Sequence, residues 1–208
     1  MSALILCMRE DYLLLSMDTL VSCVDKGITK SLSRYATKMH ILPHINCVIC
    51  GVESAEIKFS WYDFVTNNNS LIVSGISSLD SVAQYNLQHL ANSYSLDISC
   101  DIYQFGICEY DGKMKGFVYR SKNNYMSEKL QYNKENFYIR PEITGDYIFN
   151  DGGWQQELFN IMKMQKENQD SSDAADKVYI GGVMQILEMK KDVYKLVNYR
   201  NFGDVWKG

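Results

Sequence analysis

Ser2 heads a short series of residues whose types could do chemistry together. With Met1 removed, Ser2 carries a free α-amine and a hydroxyl on one residue. An α-amine has a reference pKa of about 8, close enough to neutrality to accept the hydroxyl proton. Such a residue holds its own nucleophile and its own base. If Met1 is retained, that nitrogen is an amide and cannot act as a base. Asp18 lies sixteen residues further on, and Lys38 heads the run Lys38-Met39-His40-Ile41. Gly51 closes the apolar run Ile45-Asn46-Cys47-Val48-Ile49-Cys50. A lysine near the nucleophile lowers the pKa of its amine and hydroxyl, and a carboxylate keeps that lysine charged and oriented. A backbone N–H just past a strand stabilises an oxyanion, an effect worth about 3 kcal/mol. Taken singly, the same residues have plain readings: an ordinary second residue, a turn aspartate and a solvated edge lysine.

The elements that must position these residues follow from hydrophobic pattern. Residues 3–8 and 12–17 are apolar runs separated by Arg9-Glu10-Asp11, which predicts a buried hairpin. Residues 20–23 continue as a strand, 26–37 read as a loop or short hairpin, and Lys38–Leu42 and Ile45–Cys50 are strands around a Pro43-His44 turn. After Gly51 the period changes. Ile57, Trp61, Phe64 and Val65 lie on one face of a helix that Asn67-Asn68-Asn69-Ser70 ends. A second helix begins near Ser77, Ser78 or Asp80 and turns Ala83, Leu87, Leu90, Ala91 and Tyr94 to one side. Residues 102–109 and 114–120 form a hairpin around Asp111-Gly112. Residues 121–150 hold short strands. Gly152-Gly153 lead into a third helix with Trp154, Leu158, Ile161 and Met162 on one side. The polar stretch 166–176 reads as a loop, and 178–189 and 193–197 as a last hairpin around Lys190-Lys191-Asp192.

Strands such as Leu13-Leu14-Leu15 and Cys47-Val48-Ile49-Cys50 are apolar at successive positions and need cover on both faces. Two antiparallel sheets stacked between two helix layers supply that cover. The expected class is therefore α+β, a four-layer αββα sandwich, as one domain over residues 1–208.

The order of nucleophile, carboxylate, lysine and glycine N–H resembles the proteasome-type N-terminal nucleophile hydrolases, the proteasome β-subunit and HslV-like family. The Ser2-to-Asp18 interval matches that family, and the Lys38-to-Gly51 interval is about one residue shorter. Ile180-Gly181-Gly182-Val183-Met184-Gln185-Ile186 resembles the family's Gly-Gly start of a late strand. The resemblance covers most of the chain in architecture, with motif agreement in residues 2–65 and 178–197. It implies Ser2 as nucleophile with its amine as base, Asp18 orienting the site, Lys38 tuning it and the Gly51 N–H as oxyanion donor. It implies a peptide or amide substrate, acyl transfer, and assembly with copies of the same chain. The departures are specific. Ser2 stands where most of the family has Thr. A supporting Ser-Gly segment is not recognisable in 121–150. Val178-Tyr179-Ile180 replace the Asp and Ser before the Gly-Gly pair, with Asp176 near but offset. A non-catalytic protein on the same fold that binds another protein is the alternative reading.

Composition excludes other classes. The chain has 208 residues, 46% apolar and 22% charged, with net charge −4 and no basic block. That argues against nucleic acid, which needs clustered Lys and Arg. The N-terminal apolar run is broken by Arg9-Glu10-Asp11, so neither a signal peptide nor a membrane span is expected, and the expected compartment is the cytoplasm. Six cysteines, most within apolar runs, read as buried thiols in a reducing compartment. Cys47-x-x-Cys50 has metal-ligand spacing, but in a strand its two sulfurs point to opposite faces. No metal and no cofactor is expected. His40 and His44 flank the Pro43 turn and read as loop or edge residues. Gly152-Gly153 and Gly181-Gly182 lack the rest of a phosphate-loop pattern.

Overall fold

A computed structural model describes residues 2–25, 28–53, 55–67, 74–94, 99–133, 137–144, 153–172, 178–191 and 193–203, with backbone alone for 23–25 and 28–33. Its elements run β1 (Leu4–Arg9), β2 (Tyr12–Asp18), β3 (Leu20–Asp25), β4 (Ile28–Tyr35), β5 (Met39–Leu42), β6 (Cys47–Glu53), α1 (Ala55–Asn67), α2 (Ile76–Ser93), β7 (Cys100–Ile107), β8 (Met114–Arg120), β9 (Ser127–Lys129), β10 (Tyr138–Arg140), α3 (Trp154–Asp170), β11 (Val183–Lys190) and β12 (Val193–Asn201). One five-stranded sheet has the order β10-β1-β2-β11-β12, a second has β5-β6-β7-β8-β9, and β3-β4 form a separate ribbon. Among the described residues every pairing is antiparallel.

Strand alternation sorts the apolar side chains into three cores. Leu4, Leu6 and Met8 of β1 and Leu13, Leu15 and Met17 of β2 meet Val48, Cys50, Tyr103 and Phe105 between the two sheets. The intervening positions Ala3, Ile5 and Leu14 turn the other way and pack on Leu158, Ile161 and Met162 of α3. On the second sheet, Cys47, Ile49, Cys100 and Ile102 face Ile57, Trp61, Leu79, Ala83 and Leu87 of α1 and α2. Period-2 strands apolar at every position thus serve two cores at once. The result is α+β, with helix, sheet, sheet and helix stacked in that order. Trp61 is wholly buried. Its truncation to Ala costs about 3–5 kcal/mol, because the surrounding helix face cannot collapse into the space.

Several expectations change in detail. Residues 28–35 of the expected loop form a strand paired with β3. Strand β6 does not end at Gly51 but runs to Glu53, and the positive backbone angle that turns the chain away belongs to Glu53, at φ 72°. Helix α2 starts at Ile76, and the Glu109 carboxylate caps it by accepting the Ser77 and Ser78 N–H groups at 3.1 and 2.8 Å. Trp154 is partly exposed at the start of α3, off its buried side. Helix α3 continues to Asp170 through much of the expected loop. Lys163–Glu167 and Lys166–Asp170 pairs support its last turns. Residues 178–182 precede the late strand, which starts at Val183, and β12 extends to Asn201. Asn68, Asn69, Ser70, Gly152, Asp176 and Asp192 lie outside the described residues. Among the described residues, no helix is long and apolar enough to cross a membrane.

Candidate functional site

The site is assembled at one end of the β1-β2-β11 sheet, where the chain enters β1, leaves β2 and approaches β11. Asp18 is the last residue of β2 and is fully buried. Burying a carboxylate without partners costs several kcal/mol, so its contacts decide whether the corner holds. Its Oδ1 accepts the Ala3 N–H at 3.0 Å and the Lys38 ammonium at 2.8 Å. Its Oδ2 accepts the Gly181 N–H at 3.2 Å. One carboxylate therefore ties the residue after Ser2, the residue before β5 and the approach to β11. Three charge-assisted hydrogen bonds offset most of its desolvation.

Backbone bonds lock the same corner from outside. The Gly181 carbonyl accepts the Thr19 and Leu20 N–H groups at 3.3 and 3.1 Å, and the Thr19 hydroxyl accepts the Val183 N–H at 2.8 Å. Gly182 has φ 74°, and a Cβ there would lie 2.5 Å from Thr19 Oγ1. Glycine is required at that position both for its backbone angle and for the close approach.

Lys38 is 5% exposed. Burial pushes its ammonium below the ordinary lysine range, and the charge and hydrogen bond of Asp18 oppose that shift. The pair is held as an ion pair with its counter-ion fixed, the arrangement that makes a buried lysine tolerable.

Ser2 is itself almost buried and lines a cleft with Lys38, Gly51, Glu53, Ala55, Lys58 and Phe59, closed on the other side by residues of the β3-β4 ribbon. The cleft is narrow, with a cavity volume of about 50 Å³. Gly51 is packed tightly in its wall. A Cβ there would lie 3.1 Å from the Asp101 carbonyl oxygen and 3.3 Å from Lys58 Cδ. Of the four residues singled out in the sequence, Ser2, Lys38 and Gly51 line the cleft, and Asp18 sits behind Lys38, bonded to it.

Sequence reasoning missed Lys58. It falls between Ile57 and Trp61 on α1 and is 4% exposed. Burial, then the nearby Lys38 charge, push its ammonium down to about 8. The Phe59 ring lies 4.8 Å from its Nζ, and it forms no ion pair among the described residues. The only signal in the sequence was its place next to Ile57, one residue round the helix from the apolar stripe. The His40 ring meets Phe59 edge-on and Tyr62 at a tilt, at the edge of this region. Burial and the Lys58 charge bring its pKa down to about 4. Cys47 and Cys50 pack in different cores, on opposite faces of β6.

Comparison with known proteins gives a fold. No protein-family profile and no curated protein matches the sequence. Among solved structures, the chain is similar to Anbu (ancestral beta-subunit) from Yersinia bercovieri, with TM-score 0.63 and 9% identity over 96% of this chain and 88% of that one. At that identity the likeness reaches the architecture and stops short of the residues. The chain therefore has a proteasome-like sandwich fold, two antiparallel sheets between helix layers.

Proposed function

We propose that this chain is an amidohydrolase or peptidase that acts by acyl transfer from Ser2, after removal of Met1. The observation that carries the reading is the shared brace at Asp18. The same carboxylate oxygen holds the N–H next to Ser2 and the ammonium of Lys38, beside the cleft that both residues line. The Ser2 hydroxyl attacks the carbonyl carbon of a peptide or amide, and its proton passes to the Ser2 α-amine. The tetrahedral oxyanion is held by the Gly51 N–H. Collapse breaks the C–N bond, the α-amine returns its proton to the leaving nitrogen, and an ester on Ser2 remains. Water, deprotonated by the same amine, hydrolyses that ester and restores the hydroxyl. Lys38, held charged by Asp18, lowers the pKa of the amine and of the hydroxyl. The similar structure, Anbu, is an ancestral beta-subunit, which is in keeping with a chain that assembles with copies of itself.

A second reading, a non-catalytic protein-binding relative on the same fold, rests on Val178-Tyr179-Ile180. These residues bring neither Asp nor Ser to the approach of β11, and the Gly181 backbone N–H meets Asp18 there instead. Turnover of a panel of fluorogenic peptide amides separates the two. The hydrolase reading expects release of the amine at a rate that Ser2→Ala reduces to background and Lys38→Ala lowers. Absence of turnover by protein whose Met1 is shown to be removed favours the binder.

A further inference from the structure

Resting on the acyl-transfer reading of the same cleft, we infer that Lys58 and the first turn of α1 form an anion subsite, which selects acyl groups bearing a carboxylate. The substrate class is a peptide or amide with an acidic residue on the acyl side of the cleaved bond.

The two lysines of the cleft are unequally partnered. The Asp18 carboxylate is already bonded to the Ala3 N–H, Lys38 and the Gly181 N–H, so it has no oxygen directed at a second lysine. Lys58 lines the cleft while 4% exposed, and its ammonium has neither an ion pair nor a hydrogen bond among the described residues. Glu53, which also belongs to the cleft wall, forms no ion pair with it. A buried ammonium without a counter-ion is an unfavourable arrangement that an incoming anion relieves.

Two further features point the same way. Ala55 and Lys58 both lie in the first turn of α1 and both line the cleft, so the positive end of a thirteen-residue helix faces it. The Lys58 stem lies beneath Gly51, with Cδ 3.3 Å from where a Cβ of residue 51 would be. The ammonium is thereby placed one side chain away from the proposed oxyanion donor. A carboxylate seated on Lys58 would bring its own chain's carbonyl toward Ser2. The Phe59 ring and the Lys58 methylenes give that side chain apolar walls.

The test uses the full chain carrying Ser2→Ala, so that binding is read without turnover. Two N-acetyl tripeptide methylamides, one ending in Glu and one in Gln, are titrated by NMR or calorimetry. The expected result is about tenfold tighter binding of the Glu peptide, the size of one charge-assisted hydrogen bond. Lys58→Met should bring the Glu peptide to the level of the Gln peptide, and Lys58→Arg should keep the preference. Equal binding of the two peptides, binding of neither, or a Glu preference that survives Lys58→Met would overturn the inference. Failure of the hydrolase reading looks different: the Glu preference and its loss in Lys58→Met remain, while the parent protein turns over no peptide amide.

Discussion

Lys38 and Lys58 border the same cleft and are almost equally removed from water, yet their surroundings differ in kind. Lys38 meets a carboxylate at 2.8 Å, and that carboxylate is fixed by two backbone N–H groups. Lys58 has an aromatic ring at 4.8 Å, and the charge that acts on it most strongly is that of a second lysine, Lys38. The first arrangement is a completed structural joint that orders the start of the chain. The second leaves charge in reserve for something that binds. The contrast teaches that burial alone does not tell a structural lysine from a functional one, since the state of the counter-ion decides.

The largest effect should come from breaking the completed joint. Asp18→Asn removes the counter-ion and leaves the Lys38 charge buried, at a cost of about 3–5 kcal/mol in urea unfolding. The double variant Asp18→Leu/Lys38→Met should regain most of that loss, because no charge is then stranded. A single substitution costing under about 1 kcal/mol would mean that the pair does not brace this corner.

The opposite sign is expected at the other lysine. Lys58 titrates near 8 in the folded chain and 10.5 in its ordinary range. The unfolded chain binds that proton more readily, so the penalty is complete below pH 8 and is relieved as pH rises toward 10.5. Lys58→Met should therefore be more stable than the parent at pH 7, by about 1–3 kcal/mol from the shift. The gap should close between pH 8 and 10.5 in unfolding curves of the two proteins. Lys38, Asp18, Cys50 and Cys100 are the ionisable groups felt by Lys58, and taking the difference between variants isolates its own titration. A gap that is constant with pH would remove the electrostatic explanation.

A smaller effect tests the outer lock of the Asp18 corner. Gly182→Ala places a methyl at φ 74° against a Thr19 hydroxyl that is already held by the Val183 N–H. About 1–2 kcal/mol should be lost, visible as a lower Tm. The smallest change concerns the thiols. Burial pushes Cys47 well above the ordinary thiol range and Cys50 up to about 12, so both should resist a thiol reagent until the protein unfolds.

The architecture was legible because the strong signals are local. Leu13-Leu14-Leu15 required cover on two faces, Asp111-Gly112 marked a hairpin, and Ile57, Trp61 and Val65 gave a helical period. What could not be read came from distant partners. The cap of α2 is Glu109, more than thirty residues away in sequence, so the local Ser77, Ser78 and Asp80 misplaced its start. The polar end of α3 is held by i,i+4 ion pairs rather than by an apolar stripe, and so resembled a loop. Ser2, Asp18, Lys38 and Gly51 could be singled out because each sits at or near a strand end. Lys58 could not, because a lysine beside an apolar stripe is ordinarily solvated, and this one is buried where α1 packs against Gly51, with the Phe59 ring of the same helix beside its ammonium. The part taken by Gly181 is a backbone N–H, which leaves no trace in a side-chain pattern.

The central claim is that Ser2 is the acylated nucleophile, and mass spectrometry of the mature protein tests it most directly. After incubation with an acylating peptide probe, the account predicts one added acyl group, on an N-terminal peptide that begins at Ser2, and none on Ser2→Ala. An acyl group on another residue, or equal labelling of the Ser2→Ala protein, would contradict it.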